Sequence, residues 1–543
     1  MNMRSKYLIV LLALPLCGWM ALGQSRGGNW PTFGGDALRS GWAGAETSIS
    51  KDSVKDMQLL WKLKLEALSK GTRQVMPPVI LGRLISYRGF RELGFVATNA
   101  DIAYSLDVDL GTIFWTKHFE YSTREPQVTT SSWRCPGGLN AMPTMPVPAP
   151  ARGAAPARGA APAPGPGQRG SAFIGGPASV YAISSDGRLH RLNTSTGDDM
   201  AQPISVIPAN ARATSLTMMD NVIYTVTSHE CGGAPDAVWA IDLSVDPVRV
   251  RSFTLNGGSG WGLGGTAIGS DGTVYVQTGD GEKQWSNTLL ALTPRELKLK
   301  DYYSSFARNE SHIVLGDVIP VTSPLVFSYN NRDVIASACR TDQLCVLDSA
   351  SLGGVNHDAA MYRTLPILAP SRNQNANGVW GSLSSWQDTD GTRWILAPVN
   401  GPPAADLKSS MLNGPVSNGF VAAFKVQERA GKTTLEPAWV SRDLHSPLPP
   451  VVANGVVFAL SAGEFTRELQ KTPDGLTTVD ERPKGSTRAT LYALDARTGK
   501  ELYSSKNLVT VPAALTGLSV AGGRVYFGGA DGSFYAFGIY MEH

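Results

Sequence analysis

The sequence has 543 residues, of which 17% are charged, and its formal net charge is +3. This balance, with no basic cluster interleaved with aromatic residues, excludes the usual kind of nucleic-acid-binding surface. The 58 glycines and 35 prolines are typical of a chain with many tight turns.

The N-terminal residues 1–23 have the order of a secretory signal peptide. Arg4 and Lys6 precede an apolar run from Tyr7 to Leu16, and small residues at 21–23 form a cleavage site. No later run reaches the roughly 18 apolar residues that a transmembrane helix needs. We therefore expect a periplasmic or secreted protein with no membrane span after signal removal.

A lead-in at residues 24–58 contains a short helical stretch near Ser50–Met57, and an apolar strand with Trp61 follows at Leu59–Leu65. Groups of strands are then predicted at residues 76–119, 172–206, 214–255, 261–303, 322–366, 378–441, 448–506 and 514–540. The last group has no outer strand of its own. The strand at Leu59–Leu65 lacks inner partners, so we predict that it completes the last group and closes a ring.

A repeated pattern supports this division. LYALDARTGK at residues 491–500 recurs in altered form as YSLDVDLGTIFW, VWAIDL, LCVLDSASLGG and VYFGGADGSFYAFG. Each copy is an apolar strand, a polar residue that is often Asp, a Gly-containing turn and a second strand. The pattern predicts an all-β protein: residues 59–543 form an eight-bladed β-propeller of four-stranded antiparallel blades, closed by the N-terminal strand.

Two inserts interrupt the pattern. Residues 142–170, MPTMPVPAPARGAAPARGAAPAPGPGQRG, are a Pro/Ala/Gly stretch that we predict to be a disordered insertion in the second blade. A polar insert at about residues 465–488 separates two strands of the seventh blade.

Four cysteines remain after signal removal: Cys135, Cys231, Cys339 and Cys345. An even number in an oxidising compartment predicts two disulfides, and three pairings are possible. Cys339 and Cys345 flank a turn and so favour a bridge across a hairpin, which leaves Cys135 to pair with Cys231. No CxxCH is present, so covalent haem is not expected, and no CxxC or HExxH indicates zinc.

The opening WPTFGGDALRSGW, with the copies ALDARTGKEL and DGSFYAFG, resembles the quinoprotein alcohol dehydrogenase-like propellers. The resemblance covers nearly the whole mature chain. It implies eight blades that hold pyrroloquinoline quinone and a calcium ion. The same blades also build non-catalytic propellers, so the resemblance alone does not fix the function.

A sharper match lies at residues 256–280, NGGSGWGLGGTAIGSDGTVYVQTGD. It resembles the family segment that supplies a tryptophan floor under the flat quinone and a calcium ligand. By this match Trp261 is the floor, and Asp280 is a calcium ligand at a position where the family has Asn. A rigid aromatic face suits a planar ring, and calcium accepts either carboxylate or amide oxygen.

Three further residues complete the site that the resemblance implies. Arg340, eight residues before Asp348, matches an Arg or Lys that hydrogen-bonds the quinone oxygens. Glu230 falls within one position of a calcium-binding glutamate. Asp317 has about the spacing of the catalytic aspartate that takes the alcohol proton. The histidines, including His190, are not spaced as metal pairs and are expected to be structural or at the surface.

The sequence also departs from the family. No adjacent Cys-Cys pair exists, and Asp317 lacks the His-Asp-x-Trp-Asp context. Two functions therefore remain open. One is a secreted alcohol or sugar-alcohol dehydrogenase that uses the quinone and calcium and passes electrons to a separate carrier. The alternative is a non-catalytic scaffold that binds protein or polysaccharide.

Overall fold

The structure is a computed structural model that describes residues 28–67, 74–86, 89–119, 135, 137–150, 179–256, 262–279, 284–304, 322–340, 342–370, 378–464 and 482–540. These residues form a ring of eight antiparallel sheets, as the repeats predict. Among them, no helix is long and apolar enough to cross a membrane.

The N-terminal part contributes two strands and one 3₁₀ helix. They are β1 (Trp42–Ala43), a 3₁₀ helix (Ser53–Asp56) where the sequence predicts a helical stretch, and β2 (Gln58–Lys64).

Blades 1 to 4 follow in chain order. Blade 1 contains β3 (Val79–Ser86), β4 (Gly89–Thr98), β5 (Ile102–Asp107) and β6 (Thr112–His118). Blade 2 contains β7 (Ser179–Ile183), β8 (Arg188–Asn193) and β9 (Ile204–Ser205). Blade 3 contains β10 (Arg212–Ala213), β11 (Thr217–Met219), β12 (Val222–Ser228), a 3₁₀ helix (Cys231–Gly233), β13 (Ala237–Asp242) and β14 (Arg249–Thr254). Blade 4 contains β15 (Ala267–Ile268), β16 (Val274–Gln277), β17 (Thr288–Leu292) and β18 (Leu299–Ser304).

Blades 5 to 8 complete the ring. Blade 5 contains β19 (Thr322–Ser323), β20 (Leu325–Tyr329), β21 (Arg332–Arg340), β22 (Gln343–Asp348) and β23 (Tyr362–Arg363). Blade 6 contains β24 (Gly378–Val379), β25 (Gly381–Ser382), β26 (Ser384–Gln387), β27 (Arg393–Asn400), β28 (Met411–Leu412), β29 (Gly419–Arg429) and β30 (Lys432–Val440). Blade 7 contains β31 (Val451–Ala453), β32 (Val456–Ser461), helix α1 (Arg482–Gly485), β33 (Thr490–Asp495) and β34 (Glu501–Ser504). Blade 8 contains β35 (Ser519–Ala521), β36 (Arg524–Gly528) and β37 (Ser533–Gly538).

Ring closure by the N-terminal strand is confirmed. Strand β2 pairs antiparallel with β37, from Gln58 opposite Gly538 to Lys64 opposite Ser533. It is the outer strand that blade 8 otherwise lacks. The closed ring leaves the inner strands of blade 8 without a free edge on that side.

The repeated Asp-to-Gly turn joins the third and fourth strands of a blade. In blade 7 the Asp495 carboxylate accepts the backbone N–H groups of Arg497 and Thr498 at 2.9 and 3.0 Å. Gly499 has a φ of +70°, a backbone conformation that is unfavourable for residues with a Cβ. The hydrogen bonds that stabilise the turn are therefore made by residues within the repeat itself.

A tryptophan side chain from the preceding blade packs against the glycine of this turn. In three turns the indole Nε1 donates to a turn carbonyl at 3.0 Å, and a Cβ on the turn glycine would lie 2.4–2.8 Å from the indole ring. The three pairs are Trp61 with Gly111, Trp115 with Gly197, and Trp439 with Gly499. The repeat glycine is thus required both for the turn and for packing between blades.

Gly111→Ala is expected to lower the free energy of unfolding by about 2–5 kcal/mol. About 1–2 kcal/mol comes from a Cβ at φ +65°, and about 1–3 kcal/mol from collision with Trp61. Gly354→Ala is the matched control, because Gly354 has φ +66° and open space around its Cβ position. Denaturant unfolding of both variants checks this. Equal losses would show that the tryptophan contact contributes nothing.

The N-terminal residues 29–43, here called the axial segment, run round the central axis. Their carbonyl oxygens accept backbone N–H groups from the inner parts of six blades, at 2.7–3.0 Å: Ile80, Met145, Ile268, Val326, Ser385 and Val452. In blade 3 the Thr32 hydroxyl donates to the Leu216 carbonyl, and in blade 8 the Glu46 carboxylate just beyond the segment accepts the Gly523 N–H. The chain before β2 therefore contacts every blade and fills the axis.

Both predicted disulfides are confirmed. Cys135 bonds to Cys231 with a Cα–Cα distance of 5.5 Å, and Cys339 bonds to Cys345 with 5.6 Å. The first joins the connection after blade 1 to blade 3, and the second spans the β21–β22 hairpin. Both pairings fit an oxidising compartment.

The N-terminal boundary of the predicted insertion at residues 142–170 is wrong, because its first residues belong to blade 2. Met142 and Met145 are buried, and Thr144 exchanges backbone hydrogen bonds with Tyr181 at 2.8 and 3.0 Å. Residues 142–147 therefore supply the innermost segment of blade 2. The sequence alone places them in the insertion because they directly precede the Pro/Ala/Gly run. Residues 151–170, like the signal peptide and residues 465–481, lie outside the described residues.

Candidate functional site

One face of the ring carries residues 229–236, 262–266, 278–279, 284–287 and 342, which lie in connections between strands or blades, and we call it the site face. In each blade the strand nearest the axis begins at this face, and the antiparallel second strand ends there. Second-to-third strand loops and blade-to-blade loops therefore open on the same side. Of the five residues implied by the family resemblance, Glu230 and the backbone of Arg340 lie in or beside these connections.

Glu230 is exposed and lies between β12 and β13 with a left-handed backbone, φ 48° and ψ 27°. His229 before it also has a positive φ of 64°. Such conformations are costly for residues with a Cβ and concentrate at functional sites. The Glu230 N–H donates to the Asp236 carboxylate at 2.9 Å, and the next residue, Cys231, is fixed by its disulfide. The backbone that carries this carboxylate is held at both sides.

Arg340 is the last residue of β21, so its backbone lies on the site face in blade 5. The pairing of β21 with β22 shifts register between Ala338 and Arg340, which places Arg340 opposite Gln343. A β-bulge of this kind changes the direction in which a strand presents its side chains.

Trp261, Asp280 and Asp317 lie outside the described residues. The structure therefore brings Glu230 and the Arg340 backbone to one face, in blades 3 and 5. It leaves the three remaining roles as predictions. The described strand ends on either side of each of these residues border the site face.

The turn that directly follows Trp261, Gly262–Gly265, lies across the axis, and we call it the axial turn. The Leu263 N–H donates to the Gly381 carbonyl of blade 6, and the Leu263 carbonyl accepts the Ser215 hydroxyl of blade 3. A Cβ on Gly262 would lie 2.1 Å from the Ser323 nitrogen of blade 5. Glycine is required here by close backbone approach. The chain leaving Trp261 is thereby held at the centre of the ring.

A layer of neutral polar groups joins blades 4 and 5 beside this turn. The Ser337 hydroxyl lies 3.2 Å from the Gln277 Oε1 and 3.2 Å from the Thr322 hydroxyl. All three side chains are buried, and Gln277 ends β16 three residues before Asp280. The interior below the predicted site is therefore polar and hydrogen-bonded rather than apolar.

Two residues on the site face were missed from the sequence. Arg212 begins β10 opposite Ser228, two residues before Glu230, and burial lowers its pKa to about 10. Asn400 ends β27 with its Oδ1 buried and without a hydrogen-bond partner in the described part of the chain. An unpaired buried acceptor is costly unless a ligand or water supplies a donor. No motif surrounds either residue, so only the fold reveals them.

A second buried cation lies on the axis. Arg39 of the axial segment is fully buried, and its guanidinium donates to the carbonyls of Thr266 and Phe33 at 2.8 and 2.7 Å and to the hydroxyls of Thr32 and Thr217. Burial lowers the pKa of Arg39 to about 9, with a partial offset from the negative charge of Asp36. At neutral pH this guanidinium remains positive, and it adds to the positive potential at the centre of the ring.

A serine–histidine–aspartate arrangement in blade 2 is not an active site. His190 Nε2 lies 3.0 Å from the Ser184 hydroxyl, and Nδ1 lies 2.8 Å from Asp199. However, Ser184 is 3% exposed and also hydrogen-bonds Asp186, while His190 is 2% exposed and contacts Phe119. Burial is the largest influence on the His190 pKa and lowers it. The sequence expectation of a structural histidine fits this geometry.

Within the described ranges, no three His, Cys, Asp or Glu side chains converge as a metal site. The predicted calcium ligands Glu230 and Asp280 are both carboxylates, and a carboxylate oxygen suits calcium. Arg212 and Arg340 carry guanidinium donors of the kind that would bind the carboxylate and carbonyl oxygens of a quinone, whereas the Asn400 Oδ1 could only accept a hydrogen bond from a donor on a ligand. The donor chemistry of the face therefore fits both groups.

No protein-family model matches the chain, and no curated protein matches it. Solved structures do. The quinohaemoprotein alcohol dehydrogenase of Comamonas testosteroni is similar with a TM-score of 0.55 and 15% identity, over 95% of this chain and 81% of that chain. A europium-containing methanol dehydrogenase has a TM-score of 0.57 and 12% identity, over 94% of this chain and 98% of that chain.

A quinohaemoprotein alcohol dehydrogenase of Pseudomonas putida gives a TM-score of 0.55 and 13% identity, over 94% of this chain and 80% of that chain. The likeness is one of fold. It supports the eight-bladed quinoprotein-like propeller, and at these identities it assigns no activity.

Proposed function

We propose that the protein is a secreted or periplasmic quinoprotein-type dehydrogenase that oxidises an alcohol or sugar alcohol and passes the electrons to a separate carrier. The observation that supports the proposal is that Glu230 and the backbone of Arg340 lie on one face, in the blades on either side of blade 4. A scaffold has no need of this arrangement.

The proposed roles follow from the chemistry of each side chain. Glu230 and Asp280 would hold calcium through carboxylate oxygens, and Trp261 would support the flat quinone ring from below. Arg340 would hydrogen-bond the quinone oxygens and stabilise negative charge on the reduced ring. When bound, the quinone supplies the hydride acceptor and calcium supplies a Lewis acid.

Asp317 would act as the general base. Its carboxylate would accept the proton of the substrate hydroxyl as the carbon-bound hydrogen leaves with two electrons. Two positive groups are described there, Arg39 at the centre of the ring and Arg212 on the site face, and the backbone of Arg340 lies on the same face. Such a field would favour an anionic cofactor in the site.

Asp317→Asn is expected to abolish alcohol-dependent dye reduction by protein loaded with quinone and calcium, while quinone binding stays intact. Trp261→Ala is expected to weaken quinone binding by about tenfold or more, because a stacked aromatic contact contributes about 0.5–1.5 kcal/mol beyond its buried area. Dye-linked assays and binding titrations measure the two effects. Asp406→Asn, in an exposed loop of blade 6, is the matched control.

A scaffold function would be indicated by a different set of results. Wild-type protein with saturating quinone and calcium would then show neither a spectral shift nor dye reduction with any primary alcohol or sugar alcohol tested. Equal dye reduction by Asp317→Asn and wild type would instead remove Asp317 from the mechanism.

A further inference from the structure

The two disulfides lie next to the two site residues whose backbones the structure describes. Cys231 follows Glu230 directly, and Cys339 precedes Arg340 directly. One is in blade 3 and the other in blade 5, on either side of blade 4. We propose that the Cys339–Cys345 disulfide is a positioning element that fixes the backbone of Arg340, so that the protein with this disulfide binds an anion at the site face more tightly than the protein without it. This inference rests on the proposed function.

The pairing of β21 with β22 is irregular next to Arg340. Strands β21 and β22 pair in regular register up to Ala338 opposite Leu344. The register then shifts, and Cys339 lies within the bulge just before Arg340. A bulge interrupts the ladder and leaves its extra residue without a regular partner. The disulfide replaces that missing connection with a covalent bond from Cys339 to Cys345, which pairs with Ser337.

The β22 side of the hairpin is anchored independently. The Gln343 side-chain amide donates to the Thr364 carbonyl at 3.0 Å, and the Leu344 N–H donates to the Thr364 hydroxyl at 3.0 Å. Cys345 is fully buried, with its Sγ 3.4 Å from the Tyr303 hydroxyl of blade 4. The bond therefore ties the Arg340 end of β21 to a segment that the surrounding blades already hold.

Global stability explains this bond less well than local positioning does. The two cysteines are separated by 6 residues, against 96 for Cys135 and Cys231. In the loop-closure model so short a link restricts the unfolded chain roughly half as much as the longer one. A side chain that binds an anion through directed hydrogen bonds gains affinity when its backbone is fixed in advance.

The test compares wild type with the double variant Cys339→Ala/Cys345→Ala. We expect faster amide hydrogen exchange at residues 338–344, an almost unchanged melting temperature, and roughly tenfold weaker binding of pyrroloquinoline quinone, the scale of one charge-assisted hydrogen bond. Arg340→Gln should weaken quinone binding at least as much without changing exchange in the hairpin. Cys135→Ala/Cys231→Ala is the comparison variant and should lower the melting temperature more.

The outcomes separate this inference from the proposed function. If wild type binds no quinone, the proposed dehydrogenase fails, and hydrogen exchange alone decides whether the disulfide fixes the hairpin. If wild type binds quinone and the double variant binds it equally well, the positioning role of the Cys339–Cys345 disulfide is overturned, while the proposed dehydrogenase function is unaffected. Unchanged amide hydrogen exchange at residues 338–344 in the double variant also overturns this positioning role.

Discussion

Removal of residues 24–66 is expected to abolish cooperative folding of the whole ring. The deletion takes away β2, which pairs with β37 and covers the edge of blade 8. It also removes Trp61 from the blade 1 turn, and it removes the axial segment and Glu46, which together contact all eight blades. An open edge beside buried Phe534 and Phe537 would favour aggregation.

Thermal unfolding followed by circular dichroism measures this effect. Deletion of residues 151–170, within the Pro/Ala/Gly stretch, is the control and is expected to leave the melting curve unchanged. A synthetic segment spanning residues 24–66 should restore folding when added to the truncated protein. A truncated protein that melts cooperatively at the wild-type temperature would show that the ring does not depend on its N-terminal part.

Trp439→Ala is expected to lower the free energy of unfolding by about 3–5 kcal/mol, the usual cost of truncating a buried aromatic side chain. Trp439 is fully buried between blades 6 and 7, and its Nε1 donates to the Ala496 carbonyl at 3.0 Å. Gly499→Ala is expected to cost about 2–5 kcal/mol, because its Cβ would lie 2.4 Å from the same indole ring.

The two changes should not be additive. Once the indole is removed, the nearest remaining neighbour of the new Cβ at residue 499 is the end of the Asn413 side chain, at 2.8 Å, so most of the collision cost of about 1–3 kcal/mol is lost in the double variant. Denaturant unfolding of the wild type, both single variants and the double variant measures the coupling. A double variant whose loss equals the sum of the single losses would contradict the inter-blade contact.

The blade count could be predicted because its causes are local in sequence. The Asp495 carboxylate binds N–H groups two and three residues away, so the turn appears in the sequence as a short repeated pattern. Ring closure could be predicted from the number of strands, because β2 has no inner partners of its own and blade 8 has no outer strand of its own. The Cys339–Cys345 bridge followed from its position across a hairpin turn.

The path of the axial segment could not be predicted. Most of its contacts use backbone carbonyls, such as those of Pro31, Ala37 and Ser40, and any residue supplies such a carbonyl. Apart from Thr32 and Phe33, the hydrogen-bond partners of Arg39 are 178 and 227 residues away in the sequence. The inner segment at residues 142–147 was missed for a similar reason, because its pairing partner Tyr181 lies beyond a low-complexity run.

Part of the candidate site followed from order and topology. Antiparallel blades place successive second-strand ends on one face, so Glu230 and Arg340 had to share it. Arg212 and Asn400 carry no motif, and their significance depends on burial that only the packed ring produces. The register shift before Arg340 likewise depends on the pairing of two strands rather than on either strand alone.

The central claim is a quinone site on the site face, and an equilibrium titration tests it most directly. Pyrroloquinoline quinone is added to the full-length mature protein with and without calcium, and tryptophan fluorescence and quinone absorbance are followed. We expect saturable binding of one quinone per chain that requires calcium and weakens in Glu230→Gln and Arg340→Gln. Absence of saturable binding with calcium present, or binding that both variants retain unchanged, would contradict it.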